Sequence, residues 1–180
     1  MSSNWKLFVG GTVMLSMAIS TVVQAAPSKP AKMTCADFIA LDDVVKPKVV
    51  YWAEGFNKSG KPVDSTVDVD ETDKLVPMLV TECKAAPKDA LSKRLLAHAT
   101  KPAATSVSPK PANMTCSEFI ALDDVMKPKV VYWAAGFNKK GKPADSAVDV
   151  VETDKLVPVL VTECKASPQL NFWQKFVKHL

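Results

Sequence analysis

The sequence predicts an all-α fold: two small disulfide-stapled helical domains in tandem. Three observations carry this. Residues Met33 to Pro87 return as Met114 to Pro168 with about four positions in five unchanged and no gap. Each copy holds one cysteine near its start and one near its end, Cys35 and Cys83, then Cys116 and Cys164. Between them the large apolar residues recur mostly at helical spacing.

Residues 1–25 read as a secretory signal peptide. Lys6 precedes an apolar run from Leu7 to Val23, and Val23-Gln24-Ala25 has the small-x-Ala form of a cleavage site. The alternative is an uncleaved anchor. The cleavage site and the Pro/Lys-rich stretch behind it favour removal, which implies an exported, soluble mature chain. Export places the four cysteines in an oxidising compartment. Four cysteines allow three pairings, and duplication selects Cys35–Cys83 and Cys116–Cys164, because each ancestral unit had to fold alone. The only histidines, His98 and His179, fall outside the copies, so no metal is expected.

Residues 26–32 form a short basic lead. In the first copy Thr34 is positioned to cap a short helix carrying Phe38, Ile39 and Leu41. In the second, Thr115 with Glu118 makes a capping box. A second helix should begin near Pro47, carry Val49, Trp52, Ala53 and Phe56, and stop at Asn57, Gly60 and Pro62. The segment from Asp64 to Asp73 is irregular, and its alternation of Val67 and Val69 with acids resembles a strand. A third helix holds Leu75, Val76, Leu79, Val80 and Cys83, with Pro77 expected in its first turn. Leu91 and Leu95 support a fourth helix, and Phe172, Trp173, Phe176, Val177 and Leu180 its counterpart. Residues 99–113, rich in Ala, Pro, Ser and Thr, read as a flexible linker.

Charge is unevenly distributed. The first copy has six lysines against ten acids and the second seven against eight, while the lead, connector and tail hold nine bases against Asp89 alone. Acidic bodies therefore carry basic arms. Export, a single arginine and the absence of a basic helical stripe argue against nucleic acid. In strong acid the carboxylates are neutral, and the mature chain climbs from about +3 to about +24. Attractions between acids and lysines are lost, whereas disulfides survive because acid slows thiol exchange.

The pattern T-C-x-[DE]-F-[IL]-A-[LV]-D is met by Thr34, Cys35, Asp37, Phe38, Ile39, Ala40, Leu41 and Asp42. It continues through Pro47, Val50, Asn57, Lys61, Pro62, Asp64, Asp68, Val69, Val76, Pro77, Leu79, Val80 and Cys83, and the second copy matches equally well. This resembles the HdeA/HdeB family of periplasmic acid-stress chaperones. The resemblance implies two HdeA-like domains, 33–98 and 114–180. It implies a periplasmic, ATP-independent chaperone that is stored as a pair near neutral pH. In acid it would partly unfold, expose apolar surface and hold unfolded periplasmic client proteins against aggregation. No cofactor is implied. By position, the pairing and client surface maps to Val45, Val49, Val50, Trp52, Phe56, Val67 and Val69, and to Met126, Val130, Val131, Trp133, Phe137, Val148 and Val150. About half of these are expected to be ordinary core. Family members are usually single units that pair. Here the duplication allows the two domains to pair within one chain, although pairing between chains remains open at this level.

Three rival readings are weaker. An enzyme lacks support, because neither copy holds a histidine, a nucleophile–base pair or a Gly-rich phosphate loop. The adjacent Asp42 and Asp43 point to different faces and read as solvated or capping groups. A constitutive periplasmic protein-binding module without acid switching would use the same apolar faces at neutral pH. The amphipathic tail FWQKFVKHL offers a membrane-surface option, which is disfavoured against packing on the second copy.

Overall fold

The computed structural model describes residues 29–57, 66–98, 109–138 and 147–180. The segment expected as a signal peptide, the loop positions Gly60, Lys61, Pro62 and Asp64, and residues 99–108 lie outside them. The first repeat folds as α1 (Cys35–Ala40), α2 (Lys46–Asn57), α3 (Val69–Ala85) and α4 (Leu91–His98), preceded by a 3-10 turn at Pro30–Lys32. The second repeats this order as α5 (Cys116–Ala121), α6 (Met126–Asn138), α7 (Val150–Ala166) and α8 (Phe172–Val177). No strand forms among the described residues, and the isolated bridges include Thr34 with Ala90 and Thr115 with Asn171. The all-α expectation holds.

Both short first helices start in a reciprocal capping box. The Thr34 hydroxyl accepts from the Asp37 N–H while the Asp37 carboxylate accepts from the Thr34 N–H, and Thr115 and Glu118 do the same. Disulfides Cys35–Cys83 and Cys116–Cys164 join α1 to α3 and α5 to α7. Each spans 48 positions of chain, a loop whose closure stabilises by about 4 kcal/mol in the chain-entropy model. That matters for a unit too short to bury a generous core.

Two local expectations are corrected. The strand-like reading of 64–73 gives way to a helix beginning at Val69. Asp68 caps it, its Oδ1 accepting the Glu71 N–H at 2.9 Å, and Asp70 and Glu71 in the first turn suit the positive helix end. Asp68 stays extended ahead of the helix, and Val67 before it is buried, its N–H donating to the Pro109 carbonyl at 2.9 Å. Pro77 accordingly lies inside α3 rather than in its first turn, as Pro158 lies inside α7. Both prolines face solvent, where water can satisfy the carbonyl that a missing N–H leaves free. One turn on, Thr81 and Thr162 donate their hydroxyls to the proline carbonyls at 3.0 and 2.9 Å.

α4 and α8 close the two units. Leu91 and Leu95, and in the second repeat Phe172 and Phe176, are fully buried. The copies therefore extend further than Pro87 and Pro168. Arg94 aligns with Lys175 and His98 with His179, so the histidines that seemed to lie outside the repeat are part of it. Leu180 lies beyond the end of α8. One hydrophobic core runs without a break through both repeats.

Candidate functional site

The seam between the repeats is built by α2 and α6, which make the most extensive helix–helix contact among the described residues. Their sequences, KPKVVYWAEGFN and MKPKVVYWAAGFN, explain why. Pro47 and Pro128 sit in the first turn, where a missing N–H costs nothing. From there residues 49–55 and 130–137 are buried at every position. A helix buried at consecutive positions must be covered on all faces. α3 and α7 cover one side of α2 and α6 within their own repeats, and the opposite repeat covers the other.

Glycine sets how closely these helices approach. A Cβ on Gly55 would lie 2.0 Å from the Trp133 carbonyl oxygen, and one on Gly136 would lie 1.8 Å from that of Trp52. No other residue fits either position without moving a helix. Beside this crossing Trp52 stacks on Phe56 (5.3 Å between centroids) and Trp133 on Phe137 (5.1 Å). Trp173 from α8 adds an edge contact to Phe137 at 5.5 Å.

At the flanks of the seam stand two matching polar latches. Asp154 on α7 accepts from the Tyr132 hydroxyl of its own repeat at 2.9 Å and from Lys48 of the first repeat at 2.5 Å. Asp73 on α3 accepts from Tyr51 at 2.8 Å and from Lys129 of the second repeat at 2.5 Å. Each lysine also lies 5.6 Å above the tyrosine ring across the seam. Burial first, then the bond to the aspartate, pushes both phenols well above their ordinary range, so they remain protonated donors.

Further carboxylates secure the ends of the helices. The Thr34 hydroxyl and then its N–H hold Asp37 below the usual range. For Glu118 the Thr115 N–H leads, followed by the hydroxyl. Lys46 lowers Asp43, and Lys127 lowers Asp124, through bonds of 2.7 and 2.9 Å. Glu82 meets His98 Nε2 at 2.9 Å with Arg94 3.8 Å away, and Glu163 meets His179 Nε2 at 3.0 Å with Lys175 at 4.0 Å, tying α4 to α3 and α8 to α7.

The fourteen residues expected to form a pairing and client surface all lie in or against the continuous core. Val45, Val49, Val50, Trp52, Val67 and Val69 are buried, as are Val130, Val131, Trp133, Phe137, Val148 and Val150, while Phe56 and Met126 are half-buried. Among the described residues nine large apolar side chains are exposed, led by Val44 and Val125 in the turns before α2 and α6. Residue reasoning missed the glycine crossing, the Lys–Asp–Tyr latches and the His–Glu contacts. The available signal was their recurrence, in register, at identical types. Among the described residues no three of His, Cys, Asp or Glu gather to hold a metal ion, and no helix is long and apolar enough to cross a membrane.

Comparison with known proteins supplies the context. The model of the HdeA/HdeB family matches twice, over residues 9–93 and 94–174. A probable acid stress chaperone HdeA from Brucella ovis is 38% identical over 87 residues, covering 48% of this chain and 76% of that protein. Its counterpart in Brucella abortus matches to the same extent. The acid stress chaperone HdeA of Escherichia coli K12 is 37% identical over 67 residues, 37% of this chain and 61% of its own length. No solved structure matches.

Proposed function

The chain belongs to the HdeA/HdeB family, as two consecutive units, and from this premise we propose that it is an ATP-independent periplasmic chaperone of acid stress. An N-terminal signal cleaved after Ala25 exports it. Near neutral pH it is stored as an intramolecular pair whose seam is α2 against α6. In strong acid the pair opens, the disulfide-stapled units loosen, and the apolar faces of Val49, Trp52 and Phe56, and of Val130, Trp133 and Phe137, engage unfolded proteins.

One observation carries this reading. The helix with the longest buried run in each unit lies against its twin, and the groups holding the seam and helix ends are lysine–carboxylate and threonine–carboxylate bonds. The lowered carboxyls Asp37, Asp43, Glu118 and Asp124 have folded pKa values below their unfolded ones. Their stabilising contribution is therefore fully present above the unfolded carboxylate range and is lost as pH falls through the folded values. The seam latches themselves are lysine–aspartate contacts, Lys48 with Asp154 and Lys129 with Asp73. The disulfides keep each opened unit compact.

The test is light scattering of an acid-denatured periplasmic protein with and without the mature chain. Suppression of aggregation is expected at pH 2–3 and not at pH 7. Equal suppression at both would favour a constitutive binding module and refute acid switching. Mass by sedimentation on the same sample should show one chain at pH 7, independent of concentration. A two-chain species that grows with concentration would refute the intramolecular pair.

A further inference from the structure

Met33–Pro87 and Met114–Pro168 differ at ten positions, and three of these line one cleft of about 400 Å³ where the second repeat meets the first: Ala135, Ala147 and Val159. The first repeat carries Glu54, Thr66 and Met78 there. At all three the second repeat has the smaller side chain. The cleft opens beside Trp52, contributed across the seam by α2. Its volume falls in the range of small-molecule sites. The rim carries two carboxylates, Asp149 and Glu152, beside Lys155, which Glu152 already holds at 2.7 Å, and His179, which Glu163 holds at 3.0 Å. The bond to Glu152 raises Lys155 and keeps it charged, so this lysine is committed within the rim.

We propose that this cleft of the second repeat is a binding site for a small amphipathic molecule with a flat apolar body and a neutral or cationic polar end. Volume and the apolar lining of Leu156, Val159 and Leu180 beside the buried Trp52 select the body, while the two carboxylates disfavour an anion. An occupant touches α2 of the first repeat and α7 of the second, and so bridges the seam. The site belongs to the packed neutral-pH form, and its existence does not depend on any acid-induced activity.

The probe is N-phenyl-1-naphthylamine, titrated at pH 7 into the whole mature chain and read by its fluorescence. Saturable binding of one probe per chain is expected. The filled variant A135E/A147T/V159M gives the second repeat only side chains that the first already accommodates, and it should bind at least tenfold more weakly. The reciprocal variant E54A/T66A/M78V should gain a second site, two probes per chain. 1-Anilinonaphthalene-8-sulfonate, a close relative bearing a negative charge, should bind at least tenfold more weakly than the neutral probe. Near-UV circular dichroism verifies that each variant keeps its packed tryptophans. Absence of saturable binding, or binding unchanged in the filled variant, overturns the site. Equal or tighter binding of the sulfonate overturns its charge preference.

Discussion

Replacing both seam glycines by alanine separates two effects of opposite sign. Within a helix, Gly→Ala stabilises by about 1 kcal/mol at each position. Were α2 and α6 merely neighbours, G55A/G136A would be more stable by about 2 kcal/mol. In the observed crossing each new Cβ meets a backbone carbonyl, at 2.0 and 1.8 Å, where real Cβ contacts stay beyond 3.0 Å. The helices must part by more than an ångström, and backbone, unlike a flexible side chain, cannot step aside. Overpacking of this kind costs about 1–3 kcal/mol, and a clash against helix backbone belongs at the upper end. One displacement relieves both contacts, so the costs do not add. Pairing should weaken by about 3 kcal/mol, more than a hundredfold, while each isolated helix becomes stronger. The signature is a split: near-UV dichroism from Trp52 and Trp133 falls and the radius of gyration by X-ray scattering rises at pH 7, with far-UV helicity held or increased. A variant that melts higher than the parent with its near-UV spectrum intact would refute the close crossing.

Two further outcomes follow from the polar groups. Substituting K48M/K129M removes both latches. Each joins a lysine and an aspartate that are partly exposed, so the loss should be about 1–2 kcal/mol in total by urea unfolding at pH 7 and should shrink in high salt; a salt-independent loss would assign the effect to packing. Carboxyl NMR titration should find Asp37, Asp43, Glu118 and Asp124 protonating below ordinary carboxylates. Fraying of α1, α2, α5 and α6 at their N-termini should track those transitions as pH falls, and ordinary titration at all four would remove caps and first-turn bridges from the account of acid sensitivity.

Much of the architecture was legible because the chain states it twice. Thr34, Thr115, Pro47 and the cysteine register act locally or through repetition, and each was placed correctly. Pro77 was misplaced because proline reads as a helix boundary. Three acids at Asp68, Asp70 and Glu71 start the helix earlier, and an exposed proline is tolerated where water meets the freed carbonyl. Val67 and Val69 mimicked a strand because one is buried in an extended segment and the other begins a helix. The seam was harder to read. Its polar contacts, Lys48 with Asp154 and Lys129 with Asp73, join residues far apart in sequence and across the two copies. Gly55 and Gly136 read as weak points of a helix until the opposite backbone is seen against them. His98 and His179 looked unrelated because residues 88–97 and 169–178 have diverged around them.

Duplication makes the connector an energetic element, which a cut can measure. Two units joined in one chain meet at an effective concentration of about 1 mM, whereas separate chains at 1 μM meet a thousandfold less often, a difference of about 4 kcal/mol. That exceeds the roughly 3 kcal/mol expected from G55A/G136A, so the tethered variant should weaken without separating fully, while a severed one should come apart. A protease site placed within residues 99–108, outside both repeats, allows the comparison on one preparation. Uncut protein should keep its seam, read by near-UV dichroism and by mass, at every dilution. Cut protein should lose it as concentration falls through the micromolar range, and cut G55A/G136A at concentrations more than a hundredfold higher. Persistence of the cut parent as a pair at nanomolar concentration would show that the seam is tight without the tether. The duplication would then set which units pair rather than how firmly they do so.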